Sequence, residues 1–214
     1  MELLQNNFVI NLESRTDRMA HVEAEFSKIN LKCNRFNAIK MKNGAVGCTL
    51  SHIRCLEFAI QNDYDQVFIC EDDITFLNHN QMMKSLKKFN NKINTWDVLL
   101  IGGNVIQPYT QIEDFCLKVT NIQTTTGYVV KKHYYQTLMD NFKTGLEQLL
   151  RTNEKKLYAI DMYWKHLQSK DEWYFLYPLT VTQYENYSDI EERETNYNHL
   201  MLDPEKKWLY KTDK

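Results

Sequence analysis

No stretch of this 214-residue chain approaches the roughly 18 consecutive apolar residues that a membrane-spanning helix needs. Charge of neither sign is in excess: the formal net charge is -2, so no overall basic field exists to hold nucleic acid. The five cysteines, Cys33, Cys48, Cys55, Cys70 and Cys116, are odd in number and none has Cys-x-x-Cys spacing. A disulfide framework and a zinc site are therefore not expected, and reduced, mostly buried thiols are. Internal repeats, low-complexity stretches and a domain linker are also missing. Residues 1–12 carry no basic start and no small-residue cleavage site, so they read as the lead-in to a first strand rather than a leader. What is present is ordinary for a folded protein: 43% apolar and 25% charged residues. The expectation is a single domain over residues 1–204 and a basic, aromatic tail over residues 205–214. Such a chain would be soluble and cytoplasmic (in the host's cytoplasm for a viral chain), with the tail available for peripheral membrane contact.

Apolar runs and their punctuation organise the first half. Phe8-Val9-Ile10 reads as a buried strand, followed by a helix over residues 16–28 that Ser14 would cap. Residues 32–39 read as a second strand. Asn43-Gly44 marks a turn, and residues 46–61 a helix with Leu50, Ile53, Cys55, Leu56 and Ile60 inward. Gln66-Val67-Phe68-Ile69-Cys70 is the clearest strand; a helix with Met82, Leu86 and Phe89 follows, then a strand over residues 97–101. This alternation predicts an α/β fold with a mostly parallel central sheet flanked by helices. In the second half, residues 126–130 and 173–177 read as strands, and residues 133–149 and 159–167 as helices.

The central strand runs straight into Glu71-Asp72-Asp73. Three adjacent carboxylates repel one another unless a cation or hydrogen-bond donors compensate. Mn²⁺ and Mg²⁺, hard ions that share few protein oxygens with water and phosphate, suit such a cluster. In open α/β sheets ligands gather at the carboxyl ends of strands, where this triplet lies. Glu71-x-Asp73-x-Thr75 is also close to the Asp-x-Asp-x-Thr phosphatase signature. That signature needs Asp at the place of Glu71 and belongs on a first strand, so the phosphatase reading is set aside.

Three further segments accompany the triplet. Ile10-Asn11-Leu12 is followed by Arg15, Asp17 and Arg18; Gly47-Cys48-x-Leu50-Ser51-His52 precedes the acids by about twenty residues; Pro178, Thr182-Gln183 and Ser188-Asp189-Ile190-Glu191 come near the end. In this order the chain resembles glycosyltransferase family 25, which includes lipooligosaccharide and collagen hydroxylysine galactosyltransferases. The resemblance runs from about residue 8 to residue 192. It implies a GT-A-type nucleotide-sugar-binding fold, a UDP-hexose donor with galactose favoured and glucose next, a Mn²⁺ (or Mg²⁺) ion, and inversion at the anomeric carbon. The acceptor would be a hydroxyl of a glycan, a lipid-linked sugar or a protein.

By that resemblance Asp73 is the first metal ligand and Glu71 the second, with Asp72 on donor hydroxyls. Gln183 stands where related collagen enzymes have a histidine, as a weaker third ligand. Arg15 and Arg18 suit the diphosphate because guanidinium donates several hydrogen bonds at once. Asn11 and Leu12 lie beside the nucleotide. Gly44, Gly47, Ser51 and His52 surround a helix start, whose free N–H groups favour anions and hydroxyls. Asp161 is the expected base, with Asp189 the second candidate and Glu185 an alternative. Gly102-Gly103-Asn104 and Thr125-Thr126-Gly127 would line the sugar pocket. Two other functions remain open: a nucleotidyltransferase, although the Gly-rich, lysine-containing first loop is lacking, and an inactive UDP-sugar-binding or structural module, although all three acids are present.

Overall fold

The computed structural model describes residues 2–188 and 193–206. The first half contains β1 (Asn7–Asn11), α1 (Thr16–Lys28), β2 (Arg35–Asn37), α2 (Gly44–Gln61), β3 (Gln66–Glu71), β4 (Ile74–Phe76), α3 (His79–Lys92) and β5 (Val98–Val105). The second contains β6 (Tyr109–Glu113), β7 (Cys116–Val119), β8 (Ile122–Lys131), α4 (Tyr135–Thr152), α5 (Lys155–Tyr158), α6 (Ile160–Tyr163), α7 (Lys165–Gln168), β9 (Trp173–Leu176), β10 (Val181–Gln183), β11 (Asn186–Ser188), β12 (Arg193–Thr195) and α8 (Asn198–Met201).

Eight strands form one sheet in the order β2-β1-β3-β8-β5-β9-β7-β6. β2, β1 and β3 are mutually parallel, as are β5 and β9. β8 runs antiparallel between β3 and β5, and β7 antiparallel between β9 and β6. Six of the eight strands therefore point the same way, as the strand–helix alternation predicts. β4 pairs with β10, and β11 with β12, in two small antiparallel ribbons beside the sheet.

Strand side chains alternate between faces, so a continuous apolar run feeds two cores. Val67 and Ile69 of β3 join Val98 and Leu100 of β5 in the core under α2 and α4. Phe68 and Cys70, with Leu99 and Ile101, join the core under α1 and α3. This double burial fixes the register of β3, and with it the position of the acids at its end.

Local readings differ at four places. Arg15, not Ser14, occupies the N-cap of α1, and it makes no side-chain cap bond. Of the expected second strand, only residues 35–37 form β2, with the flanking Asn34 carbonyl and Ala38 N–H still bonded to β1. Ile60 is 43% exposed, on the side of α2 away from the sheet. The helix expected over residues 159–167 divides into α6 and α7 at Trp164, whose indole is buried and donates to the Ile122 carbonyl. Asn43 does mark the start of α2, where its side chain accepts from the Ala45 N–H.

Gly47 sits where α2 crosses the chain leaving β2. A Cβ there would lie 2.4 Å from the Ile39 carbonyl oxygen, a backbone atom that cannot swing aside. Gly47→Ala is expected to destabilise the fold by about 1–3 kcal/mol. Urea unfolding checks this, and an unchanged midpoint would contradict the close approach.

Candidate functional site

The site lies at the carboxyl end of β3. The parallel pairing of β1 with β3 sets Ile10 opposite Glu71, so Asn11 and Asp72 emerge side by side. Antiparallel β8 sets Gly127 opposite Cys70, bringing Thr125 and Thr126 to the same end. β5 delivers Gly102 opposite Gly127 and Asn104 opposite Gln123, across two register shifts. The β4–β10 ribbon sets Gln183 opposite Ile74, directly after Asp73.

The three acids divide among three environments. The Glu71 carboxylate faces α2: it accepts from the Thr125 hydroxyl, takes the Cys48 thiol at 3.8 Å and lies 3.5 Å from His52 Nε2. Burial opposes ionisation of Glu71, but the facing His52 ring and Thr125 hydroxyl outweigh it and hold the pKa below the usual value. Asp72 faces α1: Asn11 donates to its Oδ2 at 2.6 Å and Arg18 to its Oδ1 at 2.9 Å. Burial nevertheless raises its pKa, with Arg18 opposing.

Asp73 is the least compensated. Its Oδ2 has long contacts of 3.4 Å from both Arg18 Nη1 and Gln183 Nε2, and its Oδ1 is buried with no partner. Burial first, and the charge of Glu71 second, push its pKa up to about 8 despite Arg18. Gln183 Oε1 is likewise buried without a donor. Two adjoining side chains thus each present an unpartnered acceptor oxygen, an arrangement that costs free energy until a cation or donor arrives. An oxygen-seeking ion such as Mn²⁺ or Mg²⁺ fits this pair. Cys48, His52 and Glu71 form a softer group, a sulfur, a nitrogen and an oxygen within 4.8 Å of one another. A hard ion matches the oxygen pair better than the thiol and imidazole.

The other expected residues take varied positions. Asn11 is fully engaged, donating to Asp72 and the Arg15 carbonyl and accepting from Arg35. Leu12 is half-buried at the exit of β1, its carbonyl accepting from the Arg15 N–H. Arg15 pairs with Asp17, and both Arg15 and Arg18 donate to the Tyr187 carbonyl, which ties β11 to α1. Arg18 Nε is buried without an acceptor. Ser51 spends its hydroxyl on the backbone of Gly47 and Ile39, so Gly47 and Ser51 face the α2 crossing rather than the acids. Gly44 opens α2. His52 is fully buried, its Nδ1 2.7 Å from the Tyr128 hydroxyl.

Asp161, in the first turn of α6, accepts from the Thr124 N–H at 3.1 Å, and burial raises its pKa, with the nearby Glu71 charge adding to the rise. Thr124 takes φ 71, a left-handed conformation that a β-branched residue rarely adopts. Glu185 accepts from Asn196 at the exposed rim. Asp189 lies outside the described residues.

Three contributors escaped the sequence reading. Tyr128 buttresses His52. Tyr184 donates its N–H to the Asp73 carbonyl and stacks on His21 at 4.1 Å. Cys48 shares the inward face of α2 with His52, one turn away, and that i, i+4 spacing is the one local signal that could have marked it.

Among known proteins, a Haemophilus influenzae (strain Rd) chain whose name gives glycosyltransferase as a provisional function is 32% identical over 92 residues, 33% of each chain. The procollagen lysyl hydroxylase and glycosyltransferase of Acanthamoeba polyphaga mimivirus is 24% identical over 192 residues, covering 71% of this chain and 21% of that one. The matches thus span about a third and a fifth of the lengths of these relatives. The structure of Drosophila β1,4-galactosyltransferase 7 with manganese, UDP-Gal and xylobiose overlaps 99% of this chain and 81% of its own, at TM-score 0.46 and 11% identity. The profile of glycosyltransferase family 25 (LPS biosynthesis protein) matches residues 4–45 and 40–135, more than half of the chain, and the chain belongs to that family.

Proposed function

We propose that the chain is a metal-dependent, inverting hexosyltransferase that moves galactose, or failing that glucose, from UDP to a hydroxyl of a glycan, lipid-linked sugar or protein. The observation that carries this reading is the pair of buried, unpartnered oxygens, Asp73 Oδ1 and Gln183 Oε1, beside Arg18 at the end of β3. A bound Mn²⁺ or Mg²⁺ would be held by Asp73 and Gln183 and would supply the positive charge that stabilises the UDP leaving group.

The protein groups divide the remaining work. Arg18 neutralises Asp72 and Asp73, and its free Nε is the donor left for a phosphate oxygen. Arg15, anchored to Asp17 and the Tyr187 carbonyl, holds the rim of the donor site. Glu71, the second metal ligand expected from the sequence, keeps its charge on the α2 side, held there by the Thr125 hydroxyl and the facing His52 ring. Asp161 in its ionised form takes the acceptor's proton: burial raises its affinity for a proton, and the Thr124 N–H holds Oδ2, leaving Oδ1 for the incoming hydroxyl.

The test is UDP release from a panel of UDP-sugars with Mn²⁺ present. Release is expected with one hexose donor and not in EDTA; no release and no binding of any UDP-sugar would overturn the reading. Asp161→Asn is expected to lower kcat by about 10²–10⁴-fold with little change in donor KM. An unaltered kcat would move the base elsewhere.

A further inference from the structure

A surface outside the acid site has its own chemistry. Residues 150–157, the end of α4 and most of α5, are exposed without interruption, as are residues 40–42 before α2. The two segments are fastened together: Asn43 Nδ2 donates to Asn153 Oδ1 at 3.0 Å, and Asn153 is the left-handed cap of α4. Around this link lie Leu150, 63% exposed, Leu157, 56% exposed, and Met41, 46% exposed. Leu150 and Leu157 are the most exposed large apolar side chains among the described residues. Such side chains gain nothing from water, and their occurrence on two joined, exposed segments suits a contact surface.

The same segments carry Lys40, Lys42, Arg151, Lys155 and Lys156, against Glu154 alone. The chain as a whole has a net charge of -2, so this surface stands against the prevailing sign. None of these five cations takes part in an ion pair among the described residues. Long aliphatic stems that end in unpaired cations, interleaved with protruding leucines, match a layer that is anionic outside and apolar beneath.

We infer that the surface built from residues 40–42 and 150–157 docks the protein on an anionic lipid bilayer, with Met41, Leu150 and Leu157 entering the headgroup region and the five cations facing lipid phosphates. It is a different surface from the tail considered at the sequence level. There Lys206 is buried, its Nζ donating to the Val105 and Asp203 carbonyls, and residues 207–214 lie outside the described residues. The docking surface is joined to the site by the chain: residue 42 leads into α2 with Cys48 and His52, and residue 157 precedes Asp161 by four positions. The inference rests on exposure and charge, and it stands whether or not sugar transfer is demonstrated.

The test is co-sedimentation of the full chain with vesicles of phosphatidylcholine alone and of phosphatidylcholine with added phosphatidylglycerol. Binding is expected only to the anionic vesicles and is expected to weaken with salt. Reversing Lys40, Lys42, Lys155 and Lys156 to Glu should reduce it by at least about tenfold. Leu150→Ser with Leu157→Ser should reduce it further with only a small drop in melting temperature, since both side chains are more than half exposed. Equal binding to the two vesicle types, no binding to either, or full binding by the charge-reversed protein would overturn the inference. So would light scattering showing a dimer that the leucine substitutions dissociate, which would assign the surface to a second copy of the chain.

Discussion

Asp73→Asn is expected to cut hexose transfer by on the order of a thousandfold and to abolish the response of donor binding to Mn²⁺. It is also expected to make the metal-free protein more stable at alkaline pH, which few active-site substitutions that merely damage packing would do. The reason is the compensation Asp73 lacks. Its folded pKa is about 8, against 3.8 for the free side chain, so between these values the folded state holds a proton that the unfolded state has released. The contribution of Asp73 to the stability of the metal-free protein therefore falls as pH rises from about 4 to about 8 and levels off above. Asparagine keeps the shape and removes the titration, so that decline should flatten in the variant. The same linkage makes cation binding expel a proton, so apparent Mn²⁺ affinity should climb with pH up to about 8. Melting curves with and without Mn²⁺ across this range check both statements. A variant with the wild-type pH slope would show that Asp73 is not the titrating group.

Arg18→Ala is expected to destabilise the fold by about 3–5 kcal/mol at neutral pH, because it leaves the Asp72 carboxylate uncompensated in a buried site while Asp73 keeps its proton. The guanidinium side chain is only 11% exposed and reaches both Asp72, at 2.9 Å, and Asp73, at 3.4 Å. Arg18 is the cation that lowers both acids' pKa against burial, so its loss raises them further. The cost should shrink in acid, where both carboxyls are protonated, and grow as pH rises. Denaturant unfolding at two pH values reads this directly. A cost of under about 1 kcal/mol, or one independent of pH, would reduce the pair to a screened surface contact.

The parts of the molecule legible in the sequence are those whose signal is local. β3 announces itself because four apolar residues in a row, Val67 to Cys70, serve two cores at once, and the acids follow without a gap. α1 and α3 are legible from one apolar stripe each. The short ribbons β4–β10 and β11–β12 carry no such signal: three residues of Ile74-Thr75-Phe76 form a strand only because residues 181–183 lie alongside. The site followed the same division. The acid triplet was visible, but its partition was not, since Thr125, Gln183 and Arg18 lie 54, 110 and 55 positions from the acids they address. Asn11 shows the limit well. Its place beside the donor was inferred from the motif, while its actual bonds, to Asp72, Arg35 and the Arg15 carbonyl, depend on how β1, β2 and β3 stack. Ser51 is similar: a hydroxyl near a helix start reads as a ligand group until the Ile39 N–H claims it.

Calorimetric titration of UDP-hexose into the wild-type protein and Asp73→Asn, each in Mn²⁺ and in EDTA, addresses the central claim most directly. The oxygens of Asp73 and Gln183 predict that wild-type affinity falls at least about tenfold in EDTA, a single ligand-to-metal contact of about 1.4 kcal/mol being enough for that. They also predict that the variant binds weakly and identically in both buffers. Equal affinity in all four titrations would contradict a cation held at the end of β3.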